Sequence, residues 1–128
     1  MPTSYKPEGY NSASPYLIVA GAAATIDFLT SVFGANEIQR FVDSSGRIMH
    51  AEVRIDDTVV MIADSVEGWP AVASHVHVYV PDVDATYRKG LNAGATSVQE
   101  PVKKDDPDKR GGFKDPIGTT WWIGTRVG

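Results

Sequence analysis

The chain has three histidines, and two of them, His75 and His77, stand two residues apart. The third, His50, stands two residues from Glu52. If these stretches are strands, each pair shares one face at a spacing of roughly 6.5 to 7 Å. Three imidazoles and a carboxylate could in principle surround a divalent ion. Neighbours on one strand face point the same way, however, and seldom close around one ion without help from other strands. The reading preferred here is that these groups hydrogen-bond to a ligand, to water or to backbone, with no bound metal and no other cofactor. The enzymatic alternative is proton transfer without a metal, by His50 with Glu52 or by His75 with Glu52. Spacing alone does not fix the distance between them.

Tyr16, Tyr79, Trp122 and Met61 complete the set of candidate ligand contacts. Aromatic rings give large contact area for little lost entropy, and Met adapts to irregular shapes. The competing assignment is that some of them fill a sheet interior or a seam between two copies. No Gly-x-Ser-x-Gly nucleophile motif and no Walker or dinucleotide fingerprint is present, and Gly111-Gly112 is an isolated pair, more often a turn than a phosphate cradle. Cysteine is absent, which excludes disulfides, thiolate chemistry and Cys-based metal sites.

The elements that must position these residues follow from periodicity. Residues 1–13 read as an extended arm. Pro15 to Val19 reads as a strand, and Gly21 to Phe33 as a helix that Gly34 ends in left-handed geometry. Glu37 to Val42 is a strand, with Ser44-Ser45-Gly46 as a turn. Arg47 to Ile55 and Thr58 to Ala63 form a hairpin around Asp56-Asp57, and 64–73 link two halves. The second half repeats the order. His75 to Val80 is a strand, Asp82 caps a helix running to about Ala93, and Gly94 closes it. Thr96 to Pro101, Gly111 to Phe113 and Thr119 to Arg126 are strands, the last following the turn Asp115-Pro116-Ile117-Gly118. Val19, Ala24-Thr25 and Gly34-Ala35 are echoed by Val80, Ala85-Thr86 and Gly94-Ala95.

Alternation assigns Leu17, Val19, Ala51, Val53, Ile55, Val60, Ile62, Val76, Val78, Trp121 and Ile123 to a core. Ser14, Tyr16, Ile18, His50, Glu52, Arg54, Val59, Met61, Ala63, His75, His77, Tyr79, Thr120, Trp122 and Gly124 then fall on the opposite faces. That second set is aromatic, imidazole-bearing and partly polar, which suits a lined cavity.

At 128 residues and 13.8 kDa the chain fits one domain. Twelve basic against sixteen acidic residues give a net charge of -4, which argues against a nucleic-acid partner. The stretch from Lys103 to Arg110 nearly cancels its own charge and reads as a solvated loop. No signal peptide is apparent. The apolar run Pro15 to Ala24 falls short of the about 20 residues that span a bilayer. A cytoplasmic location without membrane contact is the expectation.

Tyr16-Leu17-Ile18-Val19, the run from Ala24 to Phe28 leading to Phe33-Gly34-Ala35, Gly46 to Ile55, and Asp115-Pro116-Ile117-Gly118-Thr119-Thr120-Trp121-Trp122-Ile123 resemble, in their order, the vicinal oxygen chelate superfamily. That group includes glyoxalase I, extradiol dioxygenases and the bleomycin and fosfomycin resistance proteins. The chain is most similar to its glyoxalase/bleomycin resistance-like, PhnB-like branch, over about residues 10–127. The resemblance implies an α+β fold of paired βαβββ modules, about 14–64 and 74–127, forming a curled mixed sheet around a cleft, commonly in a homodimer. It implies metal ligands in the metal-dependent relatives at positions matched here by Ser14, Met61, His75 and Trp122, of which His75 alone is a good donor. Where that branch commonly has a histidine after Asp-Pro-x-Gly, this chain has Thr119. The expected function is a small-molecule binding protein without a catalytic metal, sequestering an aromatic or drug-like compound. The alternative is a lyase, isomerase or dioxygenase of the same superfamily.

Overall fold

In a computed structural model, which describes residues 5–128, the chain runs through two matching units. The first contains β1 (Tyr16–Val19), α1 (Ala22–Phe33), β2 (Asn36–Val42), β3 (Ile48–Ile55) and β4 (Thr58–Asp64). The second contains β5 (His75–Tyr79), α2 (Val83–Asn92), β6 (Thr96–Lys103), β7 (Asp108–Lys114) and β8 (Thr120–Arg126). The strand orders are β1-β4-β3-β2 and β5-β8-β7-β6. In each sheet the first strand pairs parallel to the last, and the other pairs are antiparallel.

Local chemistry accounts for the breaks. Gly34 adopts φ 65°, and its N–H and that of Ala35 return to the carbonyls of Thr30 and Leu29, so the last turn of α1 is satisfied as the chain reverses. Asp82 caps α2 by accepting from the Ala85 N–H at 3.1 Å. The start of α1 lacks a side-chain cap of its own. Asp64 at the end of β4 supplies one, its Oδ1 accepting from Ala22 N–H at 2.7 Å and its Oδ2 from Ile48 N–H at 2.8 Å.

Both sheets turn their apolar faces to one shared core. Leu17, Val19, Ala51, Val53, Ile55, Val60 and Ile62 from the first unit join Phe113, Trp121 and Ile123 from the second in a single buried cluster. α1 lies on the first sheet and its Phe28 and Phe33 reach across to Phe113, at ring separations of 5.8 and 6.3 Å. Phe33 also meets Trp121 at 5.5 Å. Asp115, itself buried, accepts the Trp121 indole N–H at 2.9 Å and three backbone N–H groups of its own turn.

The expectation of one curled mixed sheet around a cleft is corrected by this arrangement. There are two separate, open four-stranded mixed sheets, and no strand of one pairs by hydrogen bonds with a strand of the other. The reason is packing. Burying both apolar faces against α1, α2 and each other leaves the opposite face of each sheet away from the common core. A second correction concerns the charged stretch: Lys103 ends β6, and Asp108 to Arg110 begin β7. Asp108 is only 3% exposed, and its Oδ2 accepts from Tyr79 and Arg110.

Of the expected arm, residues 1–4 lie outside the described residues. The remainder is held on the first sheet: Asn11 accepts from the Val59 N–H at 3.0 Å, and Arg54 donates to the Gly9 carbonyl at 3.2 Å. No helix among the described residues is long and apolar enough to cross a membrane.

Candidate functional site

The eight candidate residues form two groups of four, one per sheet, on the faces turned away from the core. On the first sheet, register places Tyr16 beside Met61, Met61 beside Glu52, and Glu52 beside Gln39, so one row crosses all four strands. His50 stands two residues from Glu52 on β3, and the two touch: His50 Nε2 lies 2.8 Å from Glu52 Oε2. His50 Nδ1 lies 3.1 Å from the Tyr16 hydroxyl. At the other carboxylate oxygen, Oε1, Glu52 accepts from the Tyr10 hydroxyl and, at 2.7 Å, from Gln39 Nε2.

Glu52 is 6% exposed. Burial by itself would raise its pKa, but the hydrogen bonds from Tyr10, His50 and Gln39 outweigh it and hold the carboxyl below its ordinary value. Tyr10 is pushed up in return, chiefly because its hydroxyl hydrogen-bonds to the Glu52 carboxylate. Around this polar chain the surface is aromatic. Tyr16 meets Trp69 edge-on at 5.8 Å, and Phe41 lies over His50 at 6.4 Å.

On the second sheet the corresponding row is His77, Trp122, Gly112 and Gln99. His75 and Trp122 stack with an interplanar angle of 11°, and the indole N–H donates to His75 Nδ1 at 3.0 Å. The ring lies flat because Gly112 has no side chain; a Cβ there would sit 2.7 Å from the indole. His77 meets Tyr79 edge-on at 4.7 Å, and Tyr79 donates to Asp108 Oδ2 at 2.7 Å. Burial, aided by the Arg110 charge, lowers the His77 pKa below its ordinary value.

A cup of about 310 Å³ over this face is lined by Trp122, Gln99, Val102, Asp108 and Arg110, among others. Another cavity of about 310 Å³ runs between β5 and the β3–β4 turn, touching His77 and Tyr79. Neither is lined by His50, Glu52 or His75. The His50–Glu52 pair is therefore assembled, whereas His75 with Glu52 is not, since the two sit on different sheets.

The positions matched to metal ligands do not make a donor set. Ser14 receives the Asn11 side-chain N–H at 3.1 Å, Met61 offers a thioether, and Trp122 directs its only polar atom, a donor, at His75. Among the described residues no group of three or more His, Cys, Asp and Glu could hold a metal ion.

Tyr10, Trp69, Gln39, Gln99, Asp108 and Arg110 escape the reading from sequence. Tyr10 and Trp69 sit in stretches without periodicity. Gln39 and Gln99 carried a usable signal, since they are related by the same offset of sixty positions as Gly34 and Gly94.

The sequence profile of the Glyoxalase/Bleomycin resistance protein/Dioxygenase superfamily matches residues 11–123. An uncharacterized protein of Mycobacterium bovis, Mb0911c, is 35% identical, with 89% of this chain and 82% of that one covered. Among solved structures, TioX from Micromonospora sp. ML1 superposes with a TM-score of 0.71 at 23% identity, covering 91% of this chain and all of that one. The PhnB protein of Bacillus cereus, a putative 3-demethylubiquinone-9 3-methyltransferase, superposes with a TM-score of 0.68 at 16% identity, covering 90% and 99%.

Proposed function

The chain belongs to the glyoxalase/bleomycin resistance protein/dioxygenase superfamily and is a ligand-binding domain of that fold without an obvious metal triad among the described residues; we propose that its ligand is a planar, aromatic or drug-like compound which it sequesters. The observation that carries this reading is the replacement of metal donors by rings and a thioether. Where relatives coordinate a metal, this chain holds Met61 and a Trp122 ring stacked on His75. Tyr16, His50, Glu52, His77 and Tyr79 surround those positions and supply apolar area with a few directed polar atoms, the composition of a small-molecule site.

Neither the cup over Trp122 nor the cavity beside His77 and Tyr79 is lined by Tyr16, His50, Glu52 or Met61, and we infer that a second copy completes the cleft. Phe41, Tyr16 and Tyr79 are 51%, 44% and 60% exposed on the two outward faces, which leaves aromatic surface that a partner can cover. A two-fold contact laying the second sheet of one copy over the first sheet of its partner would cover both. In this reading residues 1–128 act as one domain of two modules, in the cytoplasm, with no nucleic-acid partner.

A second reading is favoured by one observation, the 2.8 Å contact of His50 with Glu52. A carboxylate so placed supports an imidazole as a general base, which would make the protein a lyase or isomerase working without a metal. The binder reading is tested by elemental analysis after dialysis, followed by titration with zinc, manganese and anaerobic iron(II). Less than one tightly held ion per two chains is expected. A stoichiometric ion bound below micromolar Kd and lost in His75→Ala overturns it.

A further inference from the structure

While His50 is neutral, the polar chain on the first sheet has a direction set by its carboxylate. Glu52 receives hydrogen bonds from Tyr10 and Gln39 at Oε1, and an ionised carboxylate has no proton to give. The balance of burial against these donors keeps it ionised at neutral pH. Its Oε2 therefore takes the proton on His50 Nε2, 2.8 Å away. A neutral imidazole protonated at Nε2 has a bare Nδ1, which can only accept. Among the described residues its partner is the Tyr16 hydroxyl at 3.1 Å, so Tyr16 commits its single O–H to His50. The phenolic oxygen of this half-exposed residue then presents only lone pairs to anything arriving from solvent. The Trp69 ring stands edge-on to Tyr16 at 5.8 Å, and Phe41 flanks His50.

We propose that this face is a donor-selective aromatic site: it takes a planar ring system bearing an N–H or O–H that donates to the Tyr16 oxygen, and rejects the same shape bearing only an acceptor. The inference rests on the binding reading above and adds the polarity of the ligand. An acceptor at this position would face lone pairs and give up the hydrogen bond it had in water, whereas a donor exchanges one hydrogen bond for another.

Indole and benzofuran test this, being bicyclic molecules of nearly one shape that differ in N–H against ring oxygen. Each is titrated into the full chain at pH 8.5 while the resonances of Tyr16, His50 and Trp69 are followed by NMR. Indole is expected to bind about three- to tenfold more tightly. Tyr16→Phe should weaken indole until the two probes are equal. Glu52→Gln, whose amide can donate to Nε2 and release the His50 tautomer, should shrink the preference with Tyr16 still in place. The nitrogen spectrum of His50 should report a protonated Nε2 and a bare Nδ1. Equal affinities in the native protein, a preference that survives either substitution, or a protonated Nδ1 overturns the inference and leaves the binding reading standing. No perturbation of these resonances by either probe at millimolar concentration overturns both.

Discussion

Replacing Trp121 and Trp122 one at a time by alanine should give opposite phenotypes, although the two are neighbours of the same residue type. Trp121 is 0% exposed and packs against Phe33. Truncating a tryptophan of that kind costs about 3–5 kcal/mol. It also removes the indole N–H from the buried Asp115 carboxylate, and leaving such an acceptor short of a partner adds about 1–3 kcal/mol. Trp122 lies on the outward face, partly exposed, where its ring stacks on His75; the lost stacking costs about 0.5–1.5 kcal/mol, and the area it buries adds less than that of a fully enclosed ring. For a domain of this size each kcal/mol moves Tm by about 3–5 °C. Trp121→Ala should therefore lower Tm by more than about 10 °C, and Trp122→Ala by clearly less. Thermal melts by circular dichroism, with urea midpoints as a second measure, read the difference. Since the total stability of a domain is about 5–15 kcal/mol, Trp121→Phe serves as a milder variant if the alanine form does not fold. Equal losses, or a larger loss at Trp122, would refute the assignment of faces in β8 and with it the placement of the outward site.

Gly90→Ala should destabilise by about 1–3 kcal/mol in urea, although helix propensity alone favours alanine; the added Cβ would lie 2.4 Å from the ring of the fully buried Phe113, and an unchanged or raised midpoint would contradict that contact. The lowered pKa values of His77 and Glu52 contribute to the acid side of the stability profile. His77 binds its proton more readily in the unfolded chain, so its contribution is complete above pH 6.5 and is lost as pH falls toward its folded value; that of Glu52 is complete above about 4.5 and is lost lower still. Urea midpoints from pH 8 to 4 should fall accordingly, with the loss just below pH 6.5 absent in His77→Gln. Sedimentation at micromolar concentration should give the mass of two chains, and a single-chain mass would sink the proposed dimer.

Much of this architecture follows from local rules that act over a few residues. Alternation in HVHVY and TWWIG fixes which side chains share a face whatever the sheet does next, because a strand has period two. Gly34 ends α1 and Asp82 starts α2 for reasons confined to one turn of backbone. The grouping of Tyr16, His50, Glu52 and Met61 apart from Val53 and Ile62 was open to that logic, as was the opposition of Trp121 to Trp122. Tertiary structure alone decided the rest. Whether β1 to β8 curl into one sheet or stay as two depends on how the apolar faces meet, and Phe28 and Phe33 of α1 packing on Phe113 and Trp121 settle it by a shared core. Periodicity holds no information on such distant contacts. The environment of Glu52 was hidden for the same reason, since its donors Tyr10 and Gln39 come from an aperiodic segment and from a strand whose bulges break alternation. Asp108 looked like part of a solvated run because its neighbours are charged; the fold brings it a distant donor, Tyr79, that the run itself does not contain.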